Sequence, residues 1–232
     1  MEELLHPFEL LRLLCNTPAL EFLHVDLLVY EEPYMGTWQP PYEPIHLPLL
    51  RSLVFTDCPY KLLTWILPRI SLPEDVFIRL QDISNYIPVY GPADPFPPLP
   101  IRPVTHLDIV MQGEEVLMVA DSPTSGLWLS AMHDLDGFPE PQDWGDWLLS
   151  LRECLTLVHV THLHIRVEGW ETFWRAFLSH LPQLTHLTAL FDESSDEPDD
   201  DTGEFDCPTA TLCAALSQPA EGSDVPCPVS TP

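Results

Sequence analysis

Apolar and polar positions repeat along the chain in one short phrase: Val104-Thr-His-Leu-Asp-Ile109, Val160-Thr-His-Leu-His-Ile165 and Leu184-Thr-His-Leu-Thr-Ala189. Apolar residues hold its first, fourth and sixth places. The last two therefore share one side of an extended strand, while the residues beside them face the other way. Looser copies lie at Leu20-Glu-Phe-Leu-His-Val25 and Leu50-Arg-Ser-Leu-Val-Phe55, and a degenerate one ends in Val76-Phe-Ile-Arg-Leu80. Each predicts a strand. Helical spacing appears between them. Leu4, Leu5, Phe8, Leu11 and Leu14 form a stripe that Leu10 and Leu13 widen, starting near Pro7 and stopping before Pro18. Tyr60 to Ile70 predicts a short helix with Leu62, Leu63, Trp65, Ile66 and Leu67 inward, ended at or just after Pro68. Asp143 to Cys154, with Asp143 as its N-cap, and Glu171 to Leu181 predict two more, each a few residues ahead of a strand phrase.

The phrase is the L-x-x-L-x-L strand of a leucine-rich repeat, and its middle apolar residues stand at 23, 53, 78, 107, 163 and 187. Steps in the twenties match one strand plus one helix per unit, neither of which buries a face alone. The predicted fold class is therefore α/β: a leucine-rich-repeat-like solenoid, its parallel concave sheet backed by helices. Two stretches interrupt it. Residues 31–48 hold five prolines and residues 88–103 hold seven, so both are expected as irregular Pro-rich loops. Three successive period-2 runs, Thr105 to Met111, Glu115 to Ala120 and Leu127 to Met132, predict a β-hairpin inserted into the sheet or stacked on it. The repeat domain is expected over residues 1–191. Residues 192–232, acidic and Pro-rich, are expected as a largely disordered tail with a short helix near 209–217.

Charge narrows the partners. The chain carries 36 acidic and nine basic residues, a formal charge of -27. It should repel phosphate backbones and anionic bilayers, so neither nucleic acid nor membrane is an expected partner. A basic protein would be steered inward. The six cysteines are scattered without a C-x-x-C pair, acids rather than bases follow Met1, and no apolar run is long enough to span a bilayer. These features predict reduced thiols in the cytoplasm or nucleus.

Candidate chemistry is sparse. His106, His162 and His186 occupy one outward column, Phe22, Ser52 and Phe77 preceding them, and three such imidazoles are zinc-type ligands and pH-sensitive groups. A soluble filler role is the preferred reading, because residues 110–159 are expected to separate His106 from the other two. His133-Asp134-Leu-Asp136 has ligand-type residues without the companion motif of a metal hydrolase, and the run Asp192 to Asp206 departs from a calcium loop. Neither Gly-x-Ser-x-Gly nor Gly-x-Gly occurs. No enzyme and no cofactor is expected. Trp38, Tyr34 and Tyr42 among prolines are either a protein-binding lip or packing over the sheet edge.

The phrases at 13–23 (Leu-Leu-Cys-Asn-Thr-Pro-Ala-Leu-Glu-Phe-Leu), 47–55 (Leu-Pro-Leu-Leu-Arg-Ser-Leu-Val-Phe) and 62–73 (Leu-Leu-Thr-Trp-Ile-Leu-Pro-Arg-Ile-Ser-Leu-Pro) resemble the repeat region of F-box-type leucine-rich-repeat proteins of mushroom-forming fungi. The resemblance spans most of residues 4–191. It implies a noncatalytic substrate-recognition module of a ubiquitin ligase. In that family the F-box binds a Skp-type adaptor; none precedes the first repeat here, so adaptor binding is expected only if an F-box lies outside this chain. The partner-binding residues expected on the concave face are His24, Asp26, Arg79, His106, Asp108, His162, His164, Arg166 and His186. Two other readings are a metal-dependent hydrolase built on the strand histidines and a nonfunctional truncated remnant.

Overall fold

A computed structural model describes residues 6–26, 43–84, 99–101, 103–112, 115–132, 149, 151–152, 154–168, 174–192 and 208–217. Helix α1 (Pro7–Cys15) leads into strand β1 (Phe22–Asp26). The sequence explains both ends of the helix. Pro7 at the first helical position needs no donor, and His6 Nδ1 caps the amide of Phe8 at 3.3 Å. At the far end, Asn16 Nδ2 donates to the Arg12 carbonyl and Thr17 Oγ1 to that of Leu13. Leu10, Leu11 and Leu14 are buried. Leu13, expected to widen the stripe, is exposed on the opposite side.

Strand β3 (Ser52–Thr56) precedes helix α2 (Tyr60–Ile66). The predicted helix to Ile70 is shorter than expected. Pro68 has no amide to continue the ladder, so the chain tightens into a 3-10 turn at Leu67–Arg69 and goes straight into β4 (Ile70–Ser71). Trp65, expected inward, is half-buried, with Phe8 against its edge and the Arg69 guanidinium 4.2 Å from its ring centroid. β4 pairs in parallel with β2 (Ile45–His46). The expectation that 31–48 is wholly loop thus fails at its end: Ile45, between Pro44 and His46, is buried and begins a two-residue ladder.

Among the described residues the main sheet has eight strands, in the order β1-β3-β5-β8-β7-β6-β9-β10. Its further members are β5 (Phe77–Ile83), β6 (His106–Gln112), β7 (Glu115–Asp121), β8 (Gly126–Met132), β9 (His162–Glu168) and β10 (His186–Asp192). All neighbours are parallel except the two pairs that involve β7. The predicted hairpin is inserted, not stacked. β6, β7 and β8 form a meander that places β8 against β5 and leaves β6 free to pair with β9. Among the described residues β1 and β10 are the two edges, so the sheet is open and forms no closed barrel. The fold is α/β with a large, mostly parallel sheet.

The core lies on one face. Leu23, Leu53, Ile78, Leu127, Ala120, Leu107 and Leu163 stand in register and are buried, as are Val25, Phe55, Leu80, Leu129, Met118, Ile109 and Ile165 one row on. Each fully buried aliphatic side chain contributes roughly 1.5–3 kcal/mol against leaving it in water. Helices α1 and α2 join the same core, as do Trp174 and Phe177 of α3 (Trp174–Ser179). Of the helix predicted over 143–154, positions 149, 151, 152 and 154 are described, all helical, with Leu151 and Cys154 buried. The short helix expected near 209–217 is α4 (Pro208–Ser217), which packs on α3 and buries Leu212. Trp38, Tyr34, Tyr42, His133, Asp134, Asp136, residues 193–206 and the Pro-rich stretch 88–98 lie outside the described residues.

Candidate binding face

The other face of the sheet has no described element over it. Alternation along each strand turns every second residue there, and the register sets them in rows. The first row runs Phe22, Ser52, Phe77, Gly126, Asp121, His106, His162, His186. The second runs His24, Val54, Arg79, Trp128, Val119, Asp108, His164, Thr188. Beyond them stand Asp26 next to Thr56, and Leu117, Val110, Arg166 and Leu190 on four successive strands. All nine residues predicted for partner contact are on this face.

Two zones differ in character. Over β1, β3, β5 and β8 the face is aromatic: Phe22 is 66% exposed, Phe77 54% and Trp128 50%. Arg79 is held here, its guanidinium 4.9 Å from the Trp128 centroid. Over β6, β9 and β10 it is imidazole-rich. His106 and His162 stack at 4.4 Å with their planes 10° apart, and His162 and His186 at 4.3 Å and 4°. The expectation that residues 110–159 separate His106 from its fellows is overturned: the meander grows on the far side of β6, and β6 pairs directly with β9. Each ring has the hydroxyl of the preceding threonine beside Nδ1, Thr105 at 3.0 Å, Thr161 and Thr185 at 2.9 Å. Burial, then His186, then His106, disfavours the charged form of His162 and lowers its pKa below the usual 6.5.

No family model, curated protein or solved structure matches the chain.

Stacked in this way, the three rings do not converge on one point. Parallel imidazole planes point their lone pairs along parallel lines, whereas a zinc ion needs ligands that converge tetrahedrally. Among the described residues no group of three or more His, Cys, Asp or Glu has metal-holding geometry. The second row places Asp108, His164 and Thr188 side by side, the order of a nucleophile relay. The Asp108 carboxylate is 3.6 Å from His164 Nδ1, beyond hydrogen-bond reach, and no bond links His164 to Thr188. Ser122 and Ser125 bond each other at 2.9 Å in the β7–β8 turn. Among the described residues no helix is long and apolar enough to cross a membrane.

Sequence reasoning placed Phe22 and Phe77 in the outward column without assigning them a role, and passed over Trp128. The signal for Trp128 was present: Leu127, Leu129 and Ala131 alternate with it, so it faces away from the core.

Proposed function

We propose that this chain is a noncatalytic protein-binding module whose uncovered sheet face holds a partner, similar to the substrate-recognition repeats of an F-box ubiquitin-ligase subunit. One observation carries the reading: three half-exposed aromatic side chains, Phe22, Phe77 and Trp128, stand on one sheet face beside a paired arginine and a row of polar rings. Large rigid aromatics flanked by polar groups are the composition of interface anchors. The leucine-rich-repeat reading draws support from the strand phrases, which lie in one register with their leucines inward. A Skp-type adaptor enters only through an F-box outside this chain.

A benzophenone amino acid at Leu117, on the uncovered face, and another at Leu13, on the helix side, test the reading in an extract of the source cells. The expected result is a protein crosslinked from position 117 and lost when Phe77→Ala and Trp128→Ala are combined. Crosslinking that ignores both substitutions, or arises only from position 13, rejects it.

A further inference from the structure

The hydroxyl network under the three histidines fixes where their protons sit. Thr161 Oγ1 is 3.1 Å from the Thr105 carbonyl oxygen, and Thr185 Oγ1 is 3.0 Å from that of Thr161. Two oxygens so close repel unless a hydrogen lies between them, and a carbonyl has none to give, so each hydroxyl donates. Its remaining lone pairs then face the neighbouring Nδ1, which must be the protonated nitrogen of the neutral ring. Thr105 repeats the pattern with the Asp121 carbonyl at 3.4 Å. Each Nε2 is therefore left as an acceptor, and among the described residues none bonds it. Stacking at 4.3 and 4.4 Å sets the three rings that carry these acceptors side by side.

We propose that His106, His162 and His186 form a proton-gated acceptor row that takes cationic, donor-rich side chains, arginine above all, from the protein held on the uncovered face. The proposal rests on that reading of the face. The neighbouring charges agree with it. Asp121 on β7 stands in the row itself, opposite His106; one row on, Asp108 of β6 faces His164 of β9 at 3.6 Å, Arg166 lies a row beyond that, and β10 places Thr188 rather than a charged group next to His186 in the second row. The chain's charge of -27 draws in the same class of ligand and repels anions. A guanidinium offers five donors in one plane, so it can serve neighbouring acceptors at once; an ammonium is a point charge. Acid closes the site. Protonation at Nε2 turns an acceptor into a donor and sets positive charges side by side, so the cation is expelled as pH falls through the histidine range.

Two-bond 1H–15N spectra of the histidine-labelled protein read the tautomers directly. The expected result near pH 7.5 is the Nδ1–H form at His162 and His186, with Thr161→Val releasing His162 toward the other tautomer. Adding acetyl-triarginine amide at about 0.15 M salt should then shift the three Nε2 signals and leave that of His46 still. The affinity should fall roughly tenfold or more near pH 5. An Nε2–H tautomer, equal shifts at His46, or binding indifferent to pH each overturns the proposal. Failure here with the Trp128-dependent crosslink intact removes the acceptor row alone; loss of that crosslink removes the face and the row together.

Discussion

The guanidinium of Arg79 lies over the ring of Trp128, directly opposite it on the adjoining strand. The pair joins β5, the degenerate copy of the strand phrase, to the meander strand β8. An exposed cation over an aromatic face is worth about 0.5–1 kcal/mol. Arg79→Met is therefore expected to lower stability in urea by less than about 1 kcal/mol. A larger loss would mean that the guanidinium supports the sheet rather than standing on it.

Acid should weaken the fold through His162 and His180. Burial comes first in lowering both values, followed by the other ring-row histidines for His162 and by Arg152 for His180. Above the ordinary value near 6.5 these rings are neutral whether the chain is folded or not. As pH drops through that value the unfolded chain takes up protons first, so folding stability declines until the depressed folded-state values are passed. Paired urea titrations at neutral pH and near pH 5 should show a smaller decline for His162→Gln with His180→Gln than for the parent. The 36 acidic residues titrate in both proteins, so the difference between them carries the result.

Phe177 and Leu13 separate core from surface on the helix layer. Phe177 is fully buried, whereas Leu13 is 49% exposed. Phe177→Ala should cost roughly 3–5 kcal/mol by leaving a cavity beneath the sheet. Leu13→Ala should stay within about 0.5 kcal/mol. Equal losses in thermal or urea melts would contradict the described packing.

Asp57 and Asp82 adopt positive φ, 52° and 53°. Asp57 closes the turn between β3 and α2, where its amide donates to the Gln81 carbonyl at 2.9 Å. Aspartate tolerates this region and glycine is freer still, so Asp57→Gly should be near neutral. A β-branched side chain is not tolerated, and Asp57→Val should lower stability by about 1–3 kcal/mol.

How much of this was legible in the chain depends on range. The strand phrases put Leu107, Leu163 and Leu187 in one row because alternation and burial act within a few residues. The column of Phe22, Ser52 and Phe77 was readable for the same reason. Strand order was not: whether residues 110–159 split the histidines depends on which side of β6 the meander grows, and no local pattern carries that choice. Ile45–His46 was hidden by the prolines around it, since its ladder partner lies beyond a helix at Ile70–Ser71. Leu13 misled because hydrophobicity alone does not fix which side of a short helix meets the sheet. Chain order did set the threonines beside the histidines; only the facing strands show that the same hydroxyls reach the neighbouring carbonyls.

The reversed direction of β7 has a bearing on how such a sheet changes length. Because one antiparallel strand is followed by another turn, β8 resumes the heading of β5, and β6 already points the way β9 does. Strands can thus be gained or lost here two at a time without inverting anything downstream. A deletion that removed β7 and β8 would set Phe77 opposite His106 and leave a uniformly directed six-stranded ribbon, so the locus is a natural splice point for duplication, excision or grafting.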